Sequence, residues 1–437
     1  MEAFASRDFR RYQIARGAAV LGAEAQSVAV AWAVYSITHR ALDLGYTQLA
    51  LFLPGLLFLI PAGHIADRFD RRQVILVCYT LQVVCTAALL SLALAGSQNV
   101  YLIYAVLFLM GTGRAFNGPA NSAFIPHLVP EAHFVNAVTW NAIIFQFSNI
   151  TGPALGGLLF TLPFTRLIPD ARLRDLHLAN LHIDGPALVY AFTLITLLWF
   201  LFLVSTLHAR PGRMEHRELS LKVVLAGIEY VRRSSVLLGA ISLDLFVVLL
   251  GGAVALMPIF AHDILHQGPR GLGLLRAAPA AGAVAMSLVM ARFPLRRRAG
   301  PSLFLVVSIF GVATVVFGLS RSLWLSLASL FIAGAADTVS VIIRGSLLQL
   351  ATPPEMRGRV SAVNSLFIGA SNELGGFESG VTAQWWGAVR ATVIGGIGAL
   401  AVAAIWAGAF PGLRRADELT ADALRPKSAD TVSNQTI

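Results

Sequence analysis

The 437-residue chain is 56% hydrophobic and only 13% charged, about half the charged share of a soluble globular protein, so water is not its principal solvent. Its net charge of +10 does not mark a nucleic-acid binder, because the arginines stand between apolar runs and form no basic face with interleaved aromatics. Cys78 and Cys85 fall seven residues apart on one predicted helix, too far along the axis for a disulfide and with no His or carboxylate beside them for a metal site.

Apolar windows bounded by charge, Gly and Pro place twelve spans. Those of the first half fall at 14–37, 46–66, 73–95, 100–122, 136–160 and 186–207, and those of the second at 236–260, 271–291, 301–320, 323–346, 360–384 and 390–410. Arg7, Arg10 and Arg11 precede a stretch that holds Glu24 and runs to Ile37, which predicts a retained first span and not a cleaved signal. Lys and Arg number about 22 over the tails and even connections against about 7 over the odd ones, a bias that predicts both termini in the cytoplasm. The connection at 161–185 is then external. The basic stretch 208–235, amphipathic from Leu219 to Val231, is a cytoplasmic linker lying along the membrane surface.

After the second span comes Gly63-His64-Ile65-Ala66-Asp67-Arg68-Phe69-Asp70-Arg71-Arg72. Gly63 permits close helix approach, Asp67 can cap or pair at a helix end, and Arg68, Arg71 and Arg72 hold the cytoplasmic side. Here the chain resembles the major facilitator superfamily, whose loop between spans two and three carries this pattern; only Asp70 departs, where the family usually has Gly. In the fourth span Arg114-Ala115-Phe116-Asn117-Gly118 resembles the family's Arg-x-x-Gln-Gly motif, with Asn117 in place of Gln. In the fifth, Gly152-Pro153 with Gly156-Gly157 resembles the motif associated with antiporters. Pro153 removes a backbone hydrogen bond and the glycines flatten one face, so the helix can bend against a neighbour; plain close packing accounts for the glycines equally well. The stretches 114–130 (RAFNGPANSAFIPHLVP) and 372–380 (NELGGFESG) look like the bacterial branch that contains the enterobactin exporter. The second-half counterpart of the loop motif, 292–298 (RFPLRRR), keeps its basic residues but not the Gly and Asp.

An internal repeat at an offset of 224 pairs Pro130-Glu131 with Pro354-Glu355, Gly152 with Gly376 and Gly156 with Gly380, which predicts two related halves with a site between them. The expected fold is an all-α membrane protein of twelve transmembrane helices in two pseudo-symmetric six-helix halves. The N-terminal half is 1–207, the linker with its amphipathic helix 208–235, the C-terminal half 236–410, and a disordered cytoplasmic tail 411–437.

Charges at bilayer depth are costly unless they pair or line water. They are Glu24, Arg114, Asp244, Asp337 and Glu373, with Glu378 and Arg276 as further members. The resemblance implies that spans one, four, seven and ten line a central cavity, and Glu24, Arg114, Asp244 and Asp337 fall on those four. Glu24, Arg114, Asn117, Asp244 and Asp337 are the substrate-cavity candidates, and Glu24, Arg114, Asp337 and Glu373 the proton-coupling candidates. Arg114 is expected to partner Glu24, and Asp244 to serve either the cavity or a cytoplasmic gate with Arg232 or Arg233. Glu373 and Glu378 lie about 140° apart around one helix, so one of them is structural, and Glu373 is preferred. His64, His127 and His133 sit at cytoplasmic turns where histidines are solvated. Trp32, Phe52, Trp140, Phe145 and Phe147 are packing or lipid-facing aromatics that could also line a cavity.

No nucleotide-binding loop or nucleophile–base set is present, so neither an enzyme nor a cofactor or metal requirement is expected. The reading is a monomeric secondary transporter in the bacterial cytoplasmic membrane, exporting a small amphipathic or apolar molecule, such as a siderophore or drug-like compound, in exchange for protons. Uptake or flipping of a lipid-like solute without proton coupling, and a non-transporting receptor on the same fold, remain the alternatives.

Overall fold

A computed structural model describes residues 2–124, 128–130, 133–163, 185–207, 221–295 and 297–415. Expectations for the 161–185 connection fall largely outside these residues, as do those for 208–220, His127, Glu131, Arg296 and the tail beyond 415.

The described chain is helical. The first half comprises α1 (Arg7–Thr38), α2 (Ala41–Leu57), α3 (Leu59–Arg68), α4 (Arg71–Leu94), α5 (Val100–Phe124), α6 (Phe134–Phe160) and α7 (Pro186–Ser205). After α8 (Leu221–Arg233), the second half comprises α9 (Ser235–Leu250), α10 (Gly268–Arg292), α11 (Ala299–Leu319), α12 (Leu323–Ala351), α13 (Pro354–Trp386) and α14 (Ala388–Ala409). Among the described residues, 10 helical segments are long and apolar enough to cross a membrane. The other two of the twelve expected spans are helical but fail that measure for different reasons. The second is divided into α2 and α3, and the eleventh, α13, carries Arg357, Arg359, Glu373 and Glu378 along its 33 residues.

Local chemistry sets the ends and breaks. α1 starts at Arg7, seven residues before the predicted span, because the Ser6 hydroxyl caps it by accepting from the Phe9 N–H at 3.4 Å. The predicted second span kinks at Phe58 (φ −101°, ψ 12°), one turn after Pro54, which cannot donate to the helix ladder. Ala62 N–H still bonds the Phe58 carbonyl at 2.8 Å, so the span bends without parting. The predicted seventh span, 236–260, also breaks. α9 stops at Gly251-Gly252, and the chain continues through a 3₁₀ turn (Ala253–Leu256), Pro258 and a π turn (Phe260–Ile264). A side chain on Gly252 would lie 2.6 Å from the Gly375 carbonyl of α13, so the break accompanies a close helix approach that only glycine allows.

Three of the four hydrophobic clusters lie within one half: two in the first and one in the second. The fourth joins them, packing Val28, Tyr35 and Leu44 against Phe260, Leu272 and Phe317. All of these residues lie at the end of the bundle remote from the N-terminus. α8 packs on α13, with Gly227 against Val363 and the Arg359 carbonyl.

In the second half, α10 and α12 meet backbone to backbone where Gly282 faces the Phe331 carbonyl and Gly334 faces the Pro279 carbonyl. Gly334→Ala should cost about 1–3 kcal/mol by forcing these helices apart. It would show as a lower melting temperature of the detergent-solubilised protein; an unchanged melting curve would mean that the contact is dispensable.

Candidate functional site

Two seams close the halves on each other at the remote end. In the first, α6 meets α10: a Cβ on Gly157 would lie 2.5 Å from the Pro269 carbonyl, and one on Gly273 the same distance from the Pro153 carbonyl. In the second, α13 meets α2: a Cβ on Gly380 would lie 2.8 Å from Gly45 Cα, and one on Gly376 2.9 Å from Gln48. The opposite faces of the same helices grip their own halves. Gly152 and Gly156 press on Glu24, Leu21 and Ala25 of α1, while Gly375 presses on Val248 and Leu249 of α9. Gly152, Pro153, Gly156 and Gly157 therefore form a two-sided contact in which each glycine admits a backbone. By their contacts the matching pairs are Gly152 with Gly375, Pro153 with Gly376 and Gly157 with Gly380, one residue out of register with the expected pairing of Gly152 with Gly376 and Gly156 with Gly380.

Polar ties reinforce the seams. Arg276 of α10 donates from Nη1 to Ser27 Oγ of α1 at 2.7 Å, and Ser27 donates to the Glu24 carbonyl at 2.7 Å. Arg270 Nε donates to Thr161 Oγ1 at 2.7 Å. The Tyr35 hydroxyl donates to Asp263, whose other oxygen lies 2.5 Å from His262 Nδ1. The His262 ring sits beside Trp32 and His39, with centroids 5.3 and 5.5 Å away. None of Ser27, Tyr35, His39, His262 or Asp263 stands out in the sequence reading. The only signal was the His262-Asp263 pair at the margin of an apolar span.

Further in, Glu24, Arg114 and Asp337 each sit about 14 residues, and Glu373 about 13, from the remote end of its helix, which puts all four about 20 Å from that end. Arg114 is exposed and Glu24 and Glu373 are half-buried. Their pairing differs from the expected one. Glu24 and Arg114 form no ion pair; Glu24 acts on Arg276, and Arg114 on Glu373, so both charge couplings cross between the halves. The reason is the rotation of α1, which turns Glu24 toward the α6–α10 seam and away from α5. No charged group among the described residues acts on Glu378.

Asp244 finds its partner inside the second half. Arg233 pairs with Glu229 on its own helix, while Asp244, inside α9, faces α12 and pairs with Arg344 at 2.5 Å. Arg344 also approaches Asp337 at 3.9 Å. The sequence reading passed over Arg344 because it ended the tenth span at 346, making this residue an edge charge, whereas α12 runs on to Ala351. Asn117 lies beside Tyr79 of α4, in a first-half cluster where the Tyr12 hydroxyl donates to Asn121 at 2.5 Å.

In the loop after α3, Asp70 caps α4 by accepting from the Arg72 N–H at 2.8 Å, which explains its presence in place of Gly. Arg72 donates to the Val204 and Ser205 carbonyls at 3.2 and 2.5 Å, tying α4 to the end of α7. Gly63 is buried in α3 and Arg68 is exposed at its end, Arg71 opens α4, and the side chains of His64 and Asp67 lie outside the described set. No group of three or more His, Cys, Asp or Glu among the described residues could hold a metal ion.

A membrane-embedded helical protein of two halves, closed on each other at one end around ionisable groups, is a secondary transporter of the major facilitator type and not an enzyme. The chain belongs to the family described as transmembrane secretion effector, which it matches over residues 2–166 and 178–435. It is 27% identical over 400 residues to the enterobactin exporter EntS of Shigella dysenteriae, spanning 90% of this chain and 85% of that one. It is 23% identical over 392 residues to the uncharacterized major-facilitator-type transporter YkuC of Bacillus subtilis, spanning 84% of each. In fold it is similar to an inward-facing, occupied bacterial homolog of the human lysosomal transporter Spinster, with a TM-score of 0.73, 16% identity and 94% and 97% of the two chains covered. A bacterial homologue of the iron transporter ferroportin, also inward-facing, gives a TM-score of 0.65 at 15% identity, covering 92% and 98%.

If the seams define the closed end, bulk at Gly157 must open it. In a background with Cys78 and Cys85 replaced by Ser, Gly157→Leu should raise severalfold the labelling of a cysteine at Ser27 by an impermeant maleimide added from the remote side of the membrane. Equal labelling with and without Gly157→Leu would show that the seam does not control access.

Proposed function

We propose that this chain is a proton-coupled exporter, a monomer in the bacterial cytoplasmic membrane that moves a small amphipathic or apolar molecule, such as a siderophore or drug-like compound, by alternating access. The observation that carries the reading is the level of Glu24, Arg114, Asp337 and Glu373, with Arg276 of the second half bonded to Ser27, three residues from Glu24, in the first. The bias of Lys and Arg puts the termini in the cytoplasm, so the closed remote end is external and the interior faces the cytoplasm, where an exported solute is loaded.

Coupling follows from which charges the seams hold together. With the external end closed, Arg276 from the other half is held near Glu24 by its bond to Ser27. Opening that end draws Arg276 away with α10 and leaves Glu24 unbalanced at bilayer depth, where neutralisation by an external proton is the low-energy outcome. Closing again brings the guanidinium back and displaces the proton toward the cytoplasmic side. Protons thus move inward as the solute moves outward. The exporter names of relatives such as the Shigella protein support the direction.

Proteoliposomes containing the purified protein, loaded with ethidium or a catecholate siderophore, test this directly. An imposed proton gradient should drive efflux above the protein-free leak, and Glu24→Gln should bring it back to that leak. Full gradient-driven efflux by Glu24→Gln would remove Glu24 from the coupling scheme. Efflux indifferent to the gradient in the unmodified protein would remove proton coupling itself.

A further inference from the structure

The second half contains a charge set that the coupling scheme above does not use. Arg344 of α12 is buried, its side chain 9% exposed, and it forms a 2.5 Å ion pair with Asp244 of α9, itself 10% exposed. Its Nε donates to Ser340 one turn earlier, to Oγ at 3.1 Å and to the carbonyl at 3.3 Å. These bonds hold the guanidinium plane and aim Nη1 at Asp244. The second carboxylate, Asp337, stands 3.9 Å from Nη2 and is 49% exposed. Asp244, Asp337 and Ser340 border a cavity of about 10 Å³ walled otherwise by apolar side chains of α9, α11 and α12, a volume that suits one water.

Two carboxylates therefore share one guanidinium, and they share it unequally. A guanidinium can satisfy one carboxylate fully and leaves a residual negative charge on the other. Arg344 and Asp244 are the charges that act on Asp337. α11 presents Val306, Val307 and Phe310 to the cavity, α10 meets α12 through Gly282, and no titratable side chain of α10, α11 or α13 acts on Asp337 among the described residues. The excess charge of the set is a single unit, and it resides on the carboxylate that stands farther from the guanidinium.

We propose that Arg344 is a positioning residue that commits itself to Asp244 and thereby makes Asp337 the proton-carrying carboxylate of the second half. This rests on the proton-coupled reading for its purpose but not for its test. In the step, a proton passes from water to an Oδ of Asp337, the O–H bond forms, and the set goes from one net negative charge to neutral while the Arg344–Asp244 pair stays intact. Release returns the proton to water and restores the negative charge. Asp337 lies at the level of Glu24 but in the other half, so each half carries its own protonatable carboxyl.

Infrared difference spectroscopy of the reconstituted protein, stepped between mildly alkaline and mildly acidic solution, reads carboxyl protonation without any solute. Asp337→Asn should remove one carboxyl's share of the protonated band. Arg344→Gln should add a share, because Asp244 then loses its cation and protonates too; Arg344→Lys should leave the band near that of the parent. If Arg344→Gln does not fold, the charge-neutral double variant Asp244→Asn/Arg344→Gln serves in its place and should keep the Asp337 share. A band unchanged in Asp337→Asn overturns the proposal, as does loss of the Asp337 share in the double variant. A spectrum that behaves as expected in a protein whose efflux ignores the proton gradient would uphold this assignment and overturn the proton-coupled function instead.

Discussion

Inside a bilayer the lipid tails are as apolar as leucine, so helices gain little by hiding hydrophobic surface from one another and must associate through close backbone contact and interhelical polar bonds. Glycine is what makes such contact available here. Gly111 of α5 against Leu51 of α2, Gly395 of α14 against Leu250 of α9, and the reciprocal Gly282 and Gly334 contacts between α10 and α12 all place one helix on the carbonyl of another. The same device closes the two halves at the remote end, with a difference of extent. Three apolar clusters lie within the halves, whereas the halves share one, at the remote end beside the glycine seams.

The second constraint is charge. Removing one partner of a buried ion pair costs about 3–5 kcal/mol in protein interiors, because the survivor is left uncompensated. The Arg344–Asp244 pair is therefore a fixed strut between α9 and α12, and neither member is free to follow a gradient. Glu24 and Glu373 are different: their countercharges, Arg276 and Arg114, belong to the other half. Any rearrangement of the halves changes the balance at these carboxylates and leaves the balance at Asp244 alone.

Much of this was legible in the sequence. Hydrophobic runs located the spans, the 63–72 loop pointed to the superfamily, and Glu24, Arg114, Asp337 and Glu373 were singled out by the cost of charge at depth. What escaped depended on rotation and on breaks. A pattern of apolar residues gives the length of a helix but not which neighbour a given face meets, so Arg114 was paired with Glu24 when each finds its partner across the interface. Span ends are equally soft: stopping the tenth span at 346 turned Arg344 from a buried counter-ion into an edge charge. The interruptions at Phe58 and Gly251-Gly252 leave the hydropathy profile untouched, because glycine and phenylalanine suit a membrane segment whether or not the helix continues. The remote-end cluster of Tyr35, His39, His262 and Asp263 comes from two helix ends far apart in sequence, and the closed arrangement brings them together.

The energetics of that closed end decide whether it can work as a gate. Its direct polar ties, among them Arg276 to Ser27, Arg270 to Thr161 and Tyr35 to Asp263, contribute about 0.5–1.5 kcal/mol net each by the usual balance against water, so together they supply a few kcal/mol. Inverting a two-state population from 1:99 to 99:1 takes about 5.5 kcal/mol of differential binding. The ties are thus of the same order as the work that one bound solute can perform. A seam of continuous leucine packing would hold the remote end shut against any such input, and one without polar ties would leave it leaking. Short glycine contacts secured by a few exchangeable hydrogen bonds put the barrier between these limits, and they do so at the residues where the two halves part.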